Sequence, residues 1–316
     1  MRAIQQDRYG GPEVLRLTEV PDPEPIPTEV LVRIVAAGAN PIDGKTRSGG
    51  GFAPVVGPPP FIPGWDLSGV VAETGYGVTR FRPGDEVYGL AFFPRRAGTY
   101  AEYISVPSRQ LARKPATVGH VPAAALPLVG LTAWQLVEAA DVQPGQRVLI
   151  HAAAGGVGHL AVQIAKARGA YVIGTARTER HAFLRELGAD ETVDYTTIRF
   201  EDAVDQVDVV VDLVGGDTRV RSLDVLGRGG LLIPVPRGEP DPTGPATRRG
   251  IRVLPIIVEP DHVGLAGLAA MVDAGALRVS VTATRPLAEA ADVHRAMEAG
   301  GAVGKTVLVV DPALAG

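Results

Sequence analysis

The sequence predicts an α/β protein made of a β-rich, barrel-like domain and a doubly wound parallel sheet. Three observations predict it. Residues 1–118 are short β segments broken by Pro and Gly, buried strand-like runs alternate with helical patterns from about residue 119, and a glycine-rich turn joins one such run to a helix. At 316 residues the chain is long enough for two ordinary domains. The expected division is 1–118 with 280–316 as the β-rich domain, around an inserted 119–279.

In the first domain the expected strands are 29–35 (EVLVRIV), 67–73 (LSGVVAE), 86–90 and 100–106, with PDPEPIP and GPPPFIPG as breakers. The stretch 51–64 is expected to be an extended surface loop, because its prolines remove backbone donors. In the second domain the strands are 147–152, 170–176, 207–214, 230–235 and 251–258, with helices at 159–168, 179–187 and 219–226. Their nearly continuous Val, Ile and Leu imply burial on both faces, hence a parallel sheet covered by helices. The tail carries a helix at 287–299, a glycine turn and a strand at 306–310, expected to return to the first domain.

Composition excludes several functions. With 46% apolar and 21% charged residues and a mean hydropathy of +0.14, the chain is globular. A net charge of −4 gives no basic excess for a phosphate backbone, so no nucleic-acid partner is expected. Zero cysteines exclude disulfides, a thiolate nucleophile, Cys-ligated zinc and iron–sulfur clusters. The histidines (His120, His151, His159, His181, His262, His294) show no HxH or HxxxH spacing, so no metal is expected. The charged N-terminus lacks a signal peptide's apolar core, and no apolar run of about 18 residues occurs. A cytoplasmic protein without a membrane partner is the expectation.

The strongest motif is strand–AAAGGVG–helix. Ala153 stands where the GxGxxG fingerprint has its first glycine, and Ala154, Gly155, Gly156, Val157 and Gly158 follow. Gly155 and Gly156 let the backbone approach a pyrophosphate, Gly158 lets the helix pack on its strand, and the helix N-terminus offers free N–H groups. The bland alternative is a tight turn with no ligand. The next strand ends Thr175-Ala176-Arg177-Thr178-Glu179-Arg180, with no acidic residue placed for a ribose hydroxyl. Small neutral residues leave room there, and Arg177, less directly Arg180, can pair with a 2′-phosphate. NADPH is the expected cofactor; otherwise both arginines are merely solvated.

Segments along the whole chain then resemble a known family. They include YGGPEVL (9–15), AAGANPIDGKTRSG (36–49), IPGWDLSGVV (62–71), FRPGDEVYG (81–89), LPLVGLTAW (126–134), the glycine-loop segment 143–166, LGADETVDY (187–195) and GKTVLVV (304–310). In their order and spacing they resemble the medium-chain dehydrogenase/reductase superfamily, in its zinc-independent quinone oxidoreductase and alkenal/enone reductase branch. The resemblance implies a GroES-like β-rich catalytic domain, a Rossmann NADP-binding domain and a homodimer; the strand 251–258, otherwise an exposed apolar edge, is the expected place for the pairing. Where zinc-dependent relatives have a catalytic Cys and the His of a GHE motif, this chain has Asn40 and Trp65. That disfavours alcohol dehydrogenation and leaves reduction of a quinone or an activated C=C.

The resemblance also implies roles. Asn40 and Thr132 match contacts to the nicotinamide ribose or carboxamide, and Tyr195 a position near the 2′-phosphate. Val214, Gly215, Val235 and Pro236 flank the nicotinamide side, with Lys305 near the same interdomain cleft. The alternatives are an Asn-Pro turn for Asn40, a helix cap for Thr132 and a solvated strand-edge charge for Lys305. Lys45, in a DGKT segment where bacterial quinone reductases often carry tyrosines, is expected either to bond an enolate oxygen with Asn40 or to be solvated. Phe52, Phe61, Phe92 and Phe93 are the candidates for the acceptor pocket, or for plain loop packing. Asp66 is expected to be structural. Rival readings are an enoyl-thioester or secondary-metabolite tailoring reductase, and a non-catalytic NADPH-binding protein of the ζ-crystallin kind.

Overall fold

Runs of Val, Ile and Leu bounded by Pro or Gly make the strands of two large sheets and a two-stranded one. The structure is a computed structural model describing residues 1–236, 238–300 and 304–315. The chain forms two units, Met1–Leu131 with Glu259–Gly316, and Thr132–Val258.

The first unit begins with an antiparallel pair, β1 (Arg2–Gln5) and β2 (Arg16–Glu19). It continues with β3 (Glu29–Ala39), α1 (Pro41–Arg47), α2 (Ala53–Val56), β4 (Asp66–Thr74), β5 (Glu86–Leu90), β6 (Tyr103–Pro107), β7 (Leu111–Arg113) and α3 (His120–Ala124). The unit boundary falls inside α4 (Pro127–Ala139). The second unit holds β8 (Arg147–Ile150), α5 (Gly158–Ala167), β9 (Tyr171–Thr175), α6 (His181–Glu186), β10 (Glu191–Val193), α7 (Phe200–Ala203), β11 (Val207–Asp212), α8 (Asp217–Arg221), β12 (Leu226–Pro234), α9 (Thr243–Arg249) and β13 (Arg252–Val253). The chain then adds α10 (His262–Asp273), β14 (Val281–Pro286), α11 (Ala290–Glu298) and β15 (Lys305–Val309) to the first unit.

In the first unit the sheet order is β14-β15-β3-β4-β5-β7, with β6 also on β3. The long β3 serves both neighbours: Glu29–Arg33 pairs with β6, and Ala36–Ala39 with β15. Every pair in it is antiparallel except β14–β15. Its core includes Ile34, Leu67, Tyr100, Leu111 and Leu308, all fully buried. In the second unit the sheet is parallel throughout, in the order β10-β9-β8-β11-β12-β13. That is the doubly wound order, and its direction reverses between β8 and β11. The carboxyl ends of those strands are where such sheets bind ligands. Leu149, Ile173, Val210 and Leu232, buried to zero exposure, form its centre.

The fold class is the expected α/β one, with differences of detail. Residues 119–131 and 259–279 lie in the first unit: Tyr88 Oη donates to Leu265 O at 2.5 Å, and Thr117 N to Asp273 Oδ1 at 2.9 Å. The 51–64 loop contains the one-turn α2, with Pro54 in its first turn, where a missing N–H is harmless. The strand expected over 251–258 is only Arg252–Val253, because Pro255 lacks a ladder donor. The helix expected at 219–226 starts two residues earlier, and Leu226 already belongs to β12. The 147–152 strand stops at Ile150, and Ala152 turns at φ +48° into the glycine loop. Thr132 lies within α4 and is not its cap. The glycine turn after α11 runs into 301–303, outside the described residues. Among the described residues no helix is long and apolar enough to cross a membrane.

Candidate functional site

In the second unit the glycine loop leaves β8 and enters α5. A Cβ on Gly158 would lie 2.5 Å from Ala152 O and 2.7 Å from Ala153 Cα, so only glycine lets the helix pack this closely. Above Gly155 the space is open: a Cβ there would meet only Ala152 O, at 3.1 Å. Ala153 takes the fingerprint's first glycine position because its neighbour on β9 is Gly174, whose own missing Cβ would lie 2.9 Å from Ala153 Cβ. A backbone open on one side and closed on the other, ahead of a helix N-terminus, fits a pyrophosphate. Ala154 is buried, while Gly155, Gly156 and Val157 are half-buried.

At the end of β9, Thr175 and Ala176 are buried and Arg177 is exposed. The side chains of Arg177 and Tyr195 meet: hydrogen bonding to Tyr195 is the leading cause that raises the guanidinium above its ordinary pKa. Asp194 fixes both turns by accepting from Thr178 N (2.8 Å), Thr196 N (2.8 Å) and both their hydroxyls. Those bonds hold its carboxyl well below the usual range, the Thr178 hydroxyl first. Arg180, half-buried, precedes α6. Behind the loop, His151 Nδ1 lies 3.2 Å from Thr175 Oγ1 and Nε2 3.0 Å from Ser222 Oγ. Ser222 donates to Thr218 O, so His151 Nε2 is the donor to Ser222, and burial lowers the imidazole to about 4. Val214, Gly215, Val235 and Pro236 come together at the ends of β11 and β12, where Asp212 pairs with Pro234.

In the first unit a buried polar cluster surrounds the start of α1. Asn40 stands at its N-cap with Pro41 first in the helix, and Asp43 Oδ2 accepts from Asn40 N at 2.7 Å. The Asn40 amide does not complete the cap. Its Nδ2 donates to Asp66 Oδ2 at 2.9 Å, and its Oδ1 accepts from Lys305 Nζ. Lys305 also donates to Ala39 O at 2.8 Å, and Leu128 N donates to Asp66 Oδ1 at 2.8 Å. Burial raises Asp66 and lowers Lys305 from their ordinary values, each partner opposing the other's shift, so desolvation outweighs the ion pair's attraction. The expected solvated strand-edge charge at Lys305 is instead buried, because β15 pairs with the end of β3 that leads into Asn40.

Asp43 extends the cluster. Tyr100 Oη donates to Asp43 Oδ2 at 3.0 Å and lies 3.3 Å from His294 Nε2, while Arg47 Nη1 lies 3.2 Å from His294 Nδ1. Arg47 can only donate, so Nδ1 accepts and Nε2 carries the proton. Burial pushes Asp43 up to about 7 and His294 down to about 3. Asp43 Oδ1 is buried with no hydrogen-bond partner.

The four phenylalanines do not form one wall. Phe52 and Phe93 stack edge to face at 5.1 Å, with Trp65 on Phe93 at 5.3 Å. Phe61 meets Tyr9 and Arg96, and Phe92 packs against the sheet core. Lys45 is exposed and lines a cavity of about 220 Å³ with His294, Met297 and Glu298, which none of the four borders. Among the described residues no three His, Asp or Glu side chains are grouped to hold a metal. Sequence reasoning missed Asp43, Asp194, Asp212, Arg219 and His151. Asp43 left a local signal, three residues after Asn40, and the backbone bonds of Asp194 and Asp212 to residues two positions on are local as well.

Comparison with known proteins agrees with this architecture. Residues 26–116 match the alcohol dehydrogenase GroES-like domain and residues 187–308 the zinc-binding dehydrogenase family. The chain is 34% identical to the chloroplastic NADPH-dependent alkenal/one oxidoreductase of Arabidopsis thaliana, over 99% of this chain and 80% of that one. It is 36% identical to the 2-haloacrylate reductase of Burkholderia sp, over 96% and 97%. The solved quinone oxidoreductase of Coxiella burnetii superposes with a TM-score of 0.91 at 39% identity, covering 98% of this chain and 99% of that one. With this similarity over nearly its full length, the chain belongs to the medium-chain dehydrogenase/reductase superfamily, in the quinone oxidoreductase and alkenal/enone reductase branch.

Proposed function

We propose that this protein is an NADPH-dependent reductase that reduces a quinone or the activated C=C of an α,β-unsaturated carbonyl without zinc. The observation that carries the reading is the glycine loop, open above Gly155 and closed at Gly158, with the exposed Arg177 at the end of β9 and Tyr195 beside it. A fork of guanidinium donors and a phenol suits a 2′-phosphate, and the strand ends in Thr175 and Ala176, where an acidic side chain would favour an unphosphorylated ribose. Relatives named for NADPH, alkenals, quinones and haloacrylate support the same chemistry.

NADPH, when bound, supplies the hydride. Arg177 and Tyr195, with Arg180, would hold its 2′-phosphate, and the N–H groups of 154–158 would hold the pyrophosphate. Val214, Gly215, Val235 and Pro236 flank the nicotinamide end, a role the family resemblance also gives to Thr132. Asn40, oriented by Lys305 and Asp66, has one Nδ2 hydrogen left to donate where negative charge develops on the acceptor oxygen. Phe52 and Phe93, stacked with Trp65, form the apolar face for the acceptor. Lys45 carries no step in this reading. Leu254 and Ile257, 37% and 40% exposed beyond the sheet-edge strand β13, support a homodimer paired there.

The test follows the absorbance of reduced nicotinamide against a panel of quinones, enals and enones, with NADPH or NADH and with or without EDTA. The expected result is NADPH-preferring turnover unaffected by EDTA. A preference for NADH, or activity lost to the chelator and restored by zinc, would sink the reading.

A further inference from the structure

The second unit contains a buried ion pair, Asp212–Arg219, that the reading above does not use. Asp212, fully buried at the end of β11, accepts from Val214 N at 2.9 Å and Gly215 N at 2.8 Å through Oδ1. Its Oδ2 accepts from Arg219 Nε at 3.2 Å. Arg219, at 4% side-chain exposure, reaches from α8 to the turn after β12, donating Nη1 to Gly238 O and Nη2 to Pro236 O. The carboxylate thus holds one loop, the guanidinium holds the facing turn, and the ion pair joins them. Gly215 is pressed between the two, at φ +82°, where a Cβ would lie 3.2 Å from Arg219 Nη2 and 3.5 Å from Pro236 Cβ. On the outer side Val214 is an apolar side chain left 52% exposed.

A buried ion pair is a poor device for stability, since desolvating both charges offsets their attraction. This pair spends its hydrogen bonds on two loops at the carboxyl ends of neighbouring strands, beside the point where strand order reverses. We propose that Asp212 and Arg219 are positioning residues that fix the gap between the 214–216 loop and the turn at Pro236, and so the seat of the nicotinamide end of the dinucleotide. The inference rests on the cofactor reading above. A lysine at 219 would keep the charge opposite Asp212 but could not fork to both carbonyls.

The test compares wild type, Arg219→Lys and Arg219→Met for binding of NADPH and of 2′,5′-ADP, which has the adenosine half without nicotinamide. Turnover with NADPH and with its 4-deuterated form is measured alongside. Both variants are expected to bind 2′,5′-ADP within about twofold of wild type. Turnover is expected to fall about tenfold or more, with a larger deuterium isotope effect, as for a misplaced hydride donor, and Arg219→Lys is expected to retain more than Arg219→Met. Should Arg219→Met fail to fold, Arg219→Lys alone decides the question. Equal loss of 2′,5′-ADP and NADPH binding, or unchanged turnover and isotope effect, overturns the clamp. Wild type that binds neither ligand overturns the cofactor reading itself, and the clamp with it.

Discussion

Arg177 shows how much one side chain carries. It stands exposed, follows two small buried residues and meets Tyr195. Losing a charge-assisted bond at an exposed site is worth the lower part of the usual range, so Arg177→Ala is expected to raise the KM for NADPH about tenfold. The KM for NADH should hardly move, and initial-rate kinetics with both cofactors would read the contrast. Arg177 was legible in sequence because it follows a recognisable strand at fixed spacing. Asp194 was not: its turn to Thr196 is local, but its bond to Thr178 exists only once β9 and β10 lie side by side. Asn40 was legible as a candidate but its partners were not, since Lys305 reaches it from 265 positions away.

Among the elements, β11, β12 and α5 follow closely from periodicity and glycine, while β13 shows where the pattern misleads. Its apolar run continues through Val258, but Pro255 ends the ladder, and Leu254 and Ile257 are left exposed just after the last strand. An apolar sheet edge left uncovered invites pairing with a second copy. Ile257→Lys is expected to shift the protein from dimer to monomer in sedimentation equilibrium, leaving NADPH affinity unchanged. A wild-type monomer in that experiment would remove the edge-pairing reading. α1 is the opposite case: Asn-Pro followed by Asp three residues on is a helix start, and the structure keeps half of the cap while diverting the Asn40 amide to Asp66 and Lys305.

At the scale of the molecule, the buried cluster of the first unit ties pH to stability. Asp43, ordinarily near 3.8, is pushed up to about 7 by burial, so the native state holds a proton that the unfolded chain releases. Stability from this carboxyl is present below about pH 4 and is lost as pH rises to about 7. His151 and His294, lowered by burial to about 4 and about 3, act the other way, their stability being lost as pH falls below 6.5. Asp43→Asn removes the first effect and leaves the others. Its melting temperature is therefore expected to gain on wild type between about pH 5 and about pH 8. An offset that stays constant with pH would show that Asp43 is ionised throughout. By itself the sequence determined the β-rich and doubly wound parts, the glycine loop and the arginine after β9, because strand periodicity, glycine and proline act within a few residues. Tertiary structure alone decided the Asn40–Asp66–Lys305 cluster, the Asp43–Tyr100–His294 chain and the Asp212–Arg219 clamp. A polar group's worth in the interior depends on partners distant in sequence, and only the folded chain brings them within hydrogen-bonding distance.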